Sequence, residues 1–256
     1  MPRIDALETG SSAQRNGLNH QAIEDYLKTI YALAEIETPV STSRIAEARQ
    51  VKPGSVTSML QRLAKLNLVN YEKHYGVTLT PSGEKIALEV IRHHRLLELY
   101  LNEALGFDWD EVHEQADILE HVISEKLEER IAHVLGHPQF DPHGDPIPDK
   151  DGVMISVPTQ SLTELAVGDV AIVSRIRDDA NSEMLRYLAE LGLKPGTAVK
   201  ILDLAPFDGP VTVEVDSEKK IIGYGVATVL LVIKPCLVTS PVVLLRECLN
   251  PKRNLQ

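Results

Sequence analysis

The sequence predicts a mainly α protein with a small β domain, in which an N-terminal winged helix-turn-helix is followed by a helical domain and a small β-barrel. Three observations support this prediction. Apolar residues recur at helical spacing through most of residues 20–135. The segment from residue 40 to 95 is net positive within a chain of formal net charge -11. Short β-prone runs dominate residues 158–236.

The composition is that of an ordinary globular protein, with 25% charged and 43% hydrophobic residues. A chain of 256 residues is long enough for two or three compact units. No apolar run approaches the roughly 20 residues of a membrane span, and the start "MPRIDALETGSSAQRNG" lacks a signal-peptide core. We therefore expect a cytoplasmic protein with no membrane association. Because its only cysteines are Cys236 and Cys248, a metal site would have to use oxygen and nitrogen.

Residues 1–18 are polar, which predicts a flexible arm. We predict that residues 19–82 form the winged helix-turn-helix. "HQAIEDYLKTIYALAEI" is a helix with Asn19 as a possible cap, and "STSRIAEARQV" is a second helix. "KPGSVTSMLQRLAKLNLV" is a third, with Pro53 suited to its first turn. Two β-prone runs around Lys73 to Gly76 complete the order helix, helix, helix, hairpin.

The third helix has the features of a DNA-reading helix. Such a helix needs small polar side chains at its N-terminal end and positive charge close by. A serine- and threonine-rich helix start is also what an ordinary cap and turn looks like, but the three helices, the hairpin and the local positive charge together favour DNA binding. The candidate DNA-binding residues are Lys52, Ser55, Thr57, Ser58, Arg62, Lys65 and Lys73.

Residues 83–140 predict two long helices, "GEKIALEVIRHHRLLELYLNEAL" and "DWDEVHEQADILEHVISEKLEERIAHVL", the second with Asp108 as a plausible cap. On the first, His94 and Glu98 lie one turn apart. The second carries a stripe of acidic and imidazole side chains with no lysine or arginine. A salt-bridged surface would alternate in sign, whereas a divalent cation would hold such groups together. The stripe consists of His113, Asp117, Glu120 and His121.

The rest of the chain predicts a linker and a β domain. "GHPQFDPHGDPIPDKDG" indicates a surface loop, and we place the linker at residues 141–157. Its aspartates invite comparison with a calcium loop, but Pro146 and Pro148 interrupt that pattern.

Residues 158–236 are predicted to form the β domain. Strands are predicted in "LAVGDVAIVSRI", "GTAVKILDL", "VTVEV" and "GVATVLLVI", and a helix closed by Gly192 is predicted in "NSEMLRYLAELGLKPG". Residues 237–256 form a tail for which the sequence suggests no role.

The chain resembles the diphtheria toxin repressor and manganese transport regulator family of metal-activated transcriptional repressors. The resemblance covers residues 20 to about 235, in "IEDYLKTIY", "RIAEARQVKPGSVTSMLQRLAKLNLV", "LTPSGEKIA", "RHHRLLE" and "VHEQADILEHVISEKLEERI". It implies that the long helices form a dimerisation domain, that the homodimer reads a pseudopalindromic operator in double-stranded DNA, and that the β domain is an SH3-like barrel.

The resemblance also implies two metal sites. The primary site would use Asp25, Asp117, Glu120 and His121, and the second would use His94, Glu98 and His113. In the manganese branch the counterpart of His94 faces the primary metal, so both assignments of His94 stay open. In some members the SH3-like domain donates a ligand to the second site. The candidates here are Asn181, Glu183 and Met184, of which Glu183 is the best oxygen donor.

The ligand types favour manganese. The iron branch has Met where this chain has Asp25 and Cys where it has Asp117, and soft sulfur ligands suit later metals whereas carboxylates suit Mn²⁺. Fe²⁺ is the alternative, and Zn²⁺ or Co²⁺ would bind in vitro. The short manganese regulators have an acidic ligand where this chain has Lys28, so the resemblance does not carry over their two-metal cluster.

The function that follows is a metal-activated repressor of metal-uptake genes, with manganese as the favoured effector. The alternative is a metal-dependent hydrolase or metal buffer carrying an incidental helix-turn-helix. An enzyme needs a positioned base or nucleophile beside an open coordination position. The sequence offers no such surplus group, and "HEQAD" lacks the second histidine of the zinc-protease motif, so we expect no enzymatic activity.

Overall fold

The computed structural model describes the backbone of residues 8–177 and 181–234, with side chains from His20 onward. The chain divides into two compact units. The first comprises residues 1–92 and 150–152, and the second comprises residues 93–149 and 153–256. We describe each unit separately.

The first unit contains the predicted helix-turn-helix and wing. Its elements are α1 (Glu8–Ala34), α2 (Thr42–Ala48), α3 (Pro53–Lys65), β1 (Val69–Glu72), β2 (Gly76–Leu79) and the first part of α4 (Pro81–Leu105). The two strands pair antiparallel, with Val69 opposite Leu79. Leu27 and Ile30 of α1 share one core with Leu60 and Leu63 of α3. The predicted order of three helices and a hairpin is confirmed, and α3 begins at Pro53 as predicted.

The start of α1 differs from the prediction. The helix begins at Glu8 and includes Asn19, so Asn19 is not its cap and residues 8–18 are helical rather than a loose arm. Adding a turn to an existing helix costs little, because each further residue brings one hydrogen bond. A polar sequence can therefore continue a helix whose other half is packed. Residues 1–7 lie outside the described residues.

The helical part of the second unit contains a break that the sequence did not reveal. One helix was predicted from Asp108, but the structure has α5 (Val112–Leu119) and α6 (Glu125–Val134). Ser124 caps α6 by accepting a hydrogen bond from the Leu127 N–H, at 3.4 Å. A serine that follows the β-branched Val122 and Ile123 favours a new helix start over continuation. As a result, Glu120 and His121 lie at the C-terminal end of α5.

The β domain is one antiparallel sheet of six strands in the order β3-β8-β4-β5-β6-β7. The strands are β3 (Gln160–Ser161), β4 (Val170–Ile176), β5 (Ala198–Leu204), β6 (Val211–Val215), β7 (Glu218–Ile222) and β8 (Leu230–Ile233). They are accompanied by a 3-10 turn (Leu162–Glu164), α7 (Ser182–Glu190) and α8 (Tyr224–Val229). The predicted small β domain is confirmed, and Gly192 follows α7 with φ +74°.

Two local predictions in this unit were wrong. "GVATVLLVI" is not a single strand, because its first half belongs to α8 and only Leu230–Ile233 is β8. The first half of the predicted linker is not a surface loop, since Asp141, His143, Asp145 and Ile147 are buried, whereas residues 149–157 are exposed or half-buried. Its composition of proline, glycine and aspartate suggested exposure, but these carboxylates are buried because charged and hydrogen-bonding partners surround them. The tail at residues 237–256 lies outside the described residues.

Within the described part of the chain, none of the helices combines the length and the apolar character needed to cross a bilayer.

We expect Gly83→Ala to destabilise the first unit. A Cβ at Gly83 would lie 2.0 Å from the backbone oxygen of Leu68, so the wing and the start of α4 would have to separate. Such overpacking costs about 1–3 kcal/mol. Urea denaturation followed by circular dichroism measures the effect. Gly54→Ala is the matched control, because that glycine also lies in the first turn of a helix and has no atom within 4 Å of the added Cβ. Equal stability of the two variants would contradict the prediction.

Candidate metal centre

Two helices of the second unit bring together four of the predicted ligands. His94 and Glu98 lie one turn apart on α4, and His113 and Asp117 lie one turn apart on α5. The Oε1 atom of Glu98 is 2.9 Å from Nε2 of His94 and 3.0 Å from Nδ1 of His113. The two imidazoles are 3.1 Å apart at their nearest nitrogens. The structure thus places the predicted second-site residues in direct contact.

His94 faces two groups of ligands at once. Its Nε2 atom faces Glu98 and His113, whereas its Nδ1 atom lies 2.5 Å from Oε2 of Glu120 and 3.3 Å from Oδ1 of Asp117. The two assignments that the sequence left open for His94 therefore do not exclude each other. One ring nitrogen is available to each predicted site.

Glu120 and His121 are held at the end of α5. Glu120 is buried and its Oε1 atom is 3.3 Å from Nε2 of His121. On α4, Nδ1 of His93 donates a hydrogen bond to the backbone oxygen of Glu120, at 3.1 Å. This contact fixes the turn that follows α5 and with it the backbone that carries the Glu120 carboxylate. Sequence reasoning assigned no role to His93.

Asp25 lies on α1 in the first unit and is engaged by a cation there. Its Oδ2 atom is 2.8 Å from a guanidinium nitrogen of Arg49, the residue that ends α2. The same guanidinium lies 5.3 Å from the ring centre of Tyr26. The charge of Asp25 is thus partly balanced inside the helix-turn-helix. That Asp25 joins the residues of α5 in one metal site stays a prediction.

A further ligand group lies where the sequence predicted a linker. Glu98, Asp141 and His143 each offer a ligand atom, and these atoms lie within 4.8 Å of one another. His143 donates from Nε2 to the backbone oxygen of Trp109, at 2.7 Å, which turns its Nδ1 atom towards Oε2 of Glu98, 3.7 Å away. The signal that could have revealed this group is the acidic and histidine pair in "DPHGD", which the loop-like composition obscured.

The electrostatics of this group are those of a charged cluster out of contact with water. Burial alone raises the pKa of Glu98, but the charge of His94 and the contacts with the imidazoles of His113, His143 and His94 outweigh it and hold that pKa well below its usual value. Burial, together with the charges of Asp145 and Glu98, raises the pKa of Asp141 well above its usual value. Although burial lowers it, the pKa of His143 is raised to about 9 by the Glu98 carboxylate 3.7 Å away and by the charge of Asp141.

The group fits a divalent cation. Oε2 of Glu98, Oδ2 of Asp141 and Nδ1 of His143 are all buried without a hydrogen-bond partner. Buried polar atoms are rarely left in this state, and three that converge offer the chemistry of a ligand site. Two carboxylate oxygens and an imidazole nitrogen suit Mn²⁺, Fe²⁺ or Zn²⁺. Glu98 connects this group to His94 and His113, because its two oxygens face opposite ways.

The other predicted ligand candidates lie at the start of α7 in the β domain and belong to none of these groups. Asn181 caps α7 by accepting a hydrogen bond from the Met184 N–H, at 3.0 Å. The side chain of Met184 packs against the core of the β domain. Glu183 is exposed in the first turn of α7 and belongs to neither ligand group described above. The selection of Glu183 as a ligand therefore stays a prediction.

The predicted DNA-binding residues form an exposed surface on α3 and the wing. Val56, Leu60 and Leu63 face the core, and the opposite face of α3 is polar. Ser58 and Thr57 donate their hydroxyl protons to backbone oxygens one turn earlier, at 3.1 Å in both cases, which leaves the hydroxyl lone pairs available to a partner. Thr57 is half-buried, and the exposed residues are Lys52, Ser55, Ser58, Arg62, Lys65 and Lys73.

Comparisons with known proteins give a consistent result along the chain. Residues 20–77 match the family described as "Iron dependent repressor, N-terminal DNA binding domain". Residues 80–149 match "Iron dependent repressor, metal binding and dimerisation domain", and residues 160–234 match the FeoA domain. Together these matches span most of the described residues.

Individual relatives agree with these matches. The chain is 33% identical over 191 residues to the iron-dependent repressor IdeR of Mycobacterium leprae, covering 70% of this chain and 82% of that one. It is 29% identical to the diphtheria toxin repressor of Corynebacterium diphtheriae, covering 74% and 86%. A solved manganese-dependent transcriptional repressor in complex with manganese is 39% identical with a TM-score of 0.77, covering 83% of this chain and 100% of that chain.

Proposed function

The chain belongs to the iron-dependent repressor family of metal-responsive, DNA-binding transcriptional repressors, and from this premise we propose that Mn²⁺ is its physiological effector and that it represses metal-uptake genes from the cytoplasm. The family consists of repressors and not of enzymes, so the hydrolase alternative falls away. Its members bind operator DNA as dimers with a metal effector. For this chain we expect a homodimer on a pseudopalindromic operator.

The observation that carries the manganese assignment is the absence of sulfur from the candidate ligand sets among the described residues. Both sides of His94 face carboxylates, and the buried group beyond Glu98 adds a carboxylate and an imidazole. Met184, the only sulfur among the predicted ligands, packs in a core. Hard oxygen donors favour Mn²⁺ over metals that need thiolate or thioether ligands. Fe²⁺ is the alternative effector, and relatives named for iron and for manganese are both known.

In this proposal the ligands form two sites. Asp117, Glu120 and His121 would hold the first ion with Nδ1 of His94, and Asp25 would complete that site as the family resemblance implies. The second site predicted from the sequence, His94, Glu98 and His113, shares Glu98 with the buried group, and we place the second ion on Glu98, Asp141 and His143, with His113 beside it. When bound, a divalent ion supplies the positive charge that the converging carboxylates lack.

The residues of the first unit indicate how metal could control DNA binding. Asp25 belongs to α1, which shares its core with the DNA-facing helix α3. The cation that now engages Asp25 is Arg49, at the end of α2. Recruiting Asp25 into a metal site would therefore act directly on the helix-turn-helix. Since metal then favours the DNA-competent arrangement, DNA must tighten metal binding by the same factor.

The function is tested by measuring DNA binding in the presence and absence of metal. Duplexes selected from a random library on Mn²⁺-loaded protein should bind in Mn²⁺ and lose binding in chelator. Glu120→Ala and His121→Ala should abolish activation by any metal, because each removes a ligand of the first site. The control is His137→Ala, which removes an exposed histidine outside both ligand groups. Fluorescence anisotropy provides the readout, and wild-type binding that is equally tight in chelator would overturn the proposal.

A second prediction concerns the DNA surface. Arg62 and Lys73 are exposed on α3 and the wing, so we expect them to meet phosphates while Ser55 and Ser58 approach the bases. Removing one of these cations should flatten the log–log salt dependence of affinity by about one unit, because one phosphate is then no longer neutralised by the protein. Arg62→Ala and Lys73→Ala measured over a salt series test this expectation. Unchanged affinity and slope in both variants would show that α3 and the wing are misplaced on DNA.

A third prediction concerns metal preference. Asp25→Met combined with Asp117→Cys introduces the two sulfur ligands of the iron branch, so activation should shift from Mn²⁺ towards Fe²⁺ or Co²⁺. DNA binding is measured against each metal under anaerobic conditions. Asp25→Met alone and Asp117→Cys alone serve as controls, because each replaces only one of the two carboxylate ligands. An unchanged metal preference in the double variant would show that these positions do not determine selectivity.

A further inference from the structure

The buried loop that carries Asp141 and His143 is held by a carboxylate between two guanidinium groups. Oδ1 of Asp145 lies 3.0 Å from Arg95 on α4 and 2.7 Å from Arg175 on β4. The Asp145 side chain is only 4% exposed. Buried charge pairs of this kind fix geometry strongly, because separating them leaves an uncompensated charge out of water. Asp145 therefore connects α4 to the β sheet through the loop.

The position of Asp145 determines the orientation of Asp141. Oδ1 of Asp141 accepts hydrogen bonds from the backbone N–H groups of His143 and Asp145, both at 2.9 Å. The backbone N–H of Asp141 in turn donates to the backbone oxygen of Asp145, at 3.0 Å. With Oδ1 used in this way, Oδ2 is the oxygen left for the group with Glu98 and His143, and it also lies 3.8 Å from Nε of Arg95. A displacement of Asp145 would rotate Asp141 away from that group.

Strand β4 supports the same loop through its backbone. The N–H of Ile176 donates to the backbone oxygen of His143, at 2.9 Å. Gly144 has φ +89°, and a Cβ there would lie 2.0 Å from the backbone oxygen of Ser174. The loop is therefore pressed against β4, on both sides of Arg175. Among these contacts, the Arg175 ion pair is the one that a side-chain substitution can remove.

We propose that Arg175 of the β domain is a positioning residue for the second metal site, acting through Asp145. The inference rests on the proposed function, because it assumes that Glu98, Asp141 and His143 bind metal. It gives the β domain a role in metal affinity that requires no ligand from α7. Residues that orient ligands without touching the ion typically change metal affinity by about 10–100-fold when removed.

The experiment uses the full chain and Mn²⁺ titrated by isothermal calorimetry, with free Mn²⁺ followed by electron paramagnetic resonance. Arg175→Met should lower the affinity for the second ion by about tenfold or more and leave the affinity for the first ion unchanged. Arg175→Lys keeps the charge and should restore much of the affinity, which a role in packing alone would not predict. Arg177→Met is the matched control, because Arg177 follows on the same chain segment with an exposed side chain. If Arg175→Met does not fold, Arg175→Gln replaces it with the same expectation.

His143→Ala separates failure of this inference from failure of the proposed site. Loss of the second ion in His143→Ala together with its weakening in Arg175→Met supports both. Loss in His143→Ala with wild-type affinity in Arg175→Met and Arg175→Gln overturns the positioning role and leaves the site standing. Full stoichiometry in His143→Ala overturns the site itself and the inference with it. If Arg175→Met weakened the binding of both ions equally, the positioning role would be overturned. The same holds if Arg177→Met weakened the binding of the second ion as much as Arg175→Met does.

Discussion

The buried carboxylate of Glu98 sets the arrangement of the second unit. A carboxylate removed from water costs several kcal/mol unless hydrogen bonds and opposite charge compensate it. Three imidazoles face Glu98: His94 from the same helix, His113 from α5 and His143 from the loop before the β domain. Each comes from a different segment, so α4, α5 and the loop cannot shift independently without exposing or isolating the charge. The remaining nitrogen of His143 is fixed in turn by the Trp109 backbone oxygen.

The hydrogen bonds that stabilise Glu98 also prepare the second unit for metal. The Nδ1 atom of His143, which faces this carboxylate at 3.7 Å, is also the atom that would ligate the second ion after losing its proton. Metal binding is then an exchange of protons for a divalent ion within a framework that is already assembled. Such an exchange needs little movement of the second unit. The ligand groups that would move most on binding metal are those at the periphery of the second unit, such as the exposed Asp117.

The sequence was informative where a residue's neighbours lie on the same helix or in the same turn. Apolar periodicity located α2, α3 and α4, and Pro53 located the start of α3. It also placed His94 and Glu98 on one face. It failed where long-range contacts decide. Asp141 and His143 are buried because Glu98, Trp109 and the β domain surround them, and none of those neighbours is close in sequence.

Two other failures of the sequence-based prediction concern single elements. The break between α5 and α6 depends on Ser124 acting as a cap, and one serine in an otherwise helical pattern is a weak signal. The helical half of "GVATVLLVI" contains the β-branched Val226, Thr228 and Val229, which favour strands, and its placement in α8 reflects packing against the β domain rather than propensity.

The stripe of Ser55, Ser58, Arg62 and Lys65 along α3 has a consequence for how much sequence one protomer can specify. Even if every position from Ser55 to Lys65 read a base, including Arg62, which we assign to phosphate, the helix advances only about 15 Å at 1.5 Å per residue, a length that spans at most about four base pairs at 3.4 Å each. Four base pairs hold about 8 bits of information, so such a word recurs by chance about every 256 positions, far more often than genome-wide competition among about a million sites permits. Two symmetric copies raise the spacing to about 65,000, which is still short of that number. The remaining discrimination must come from the shape and stiffness of the DNA between and beside the half-sites.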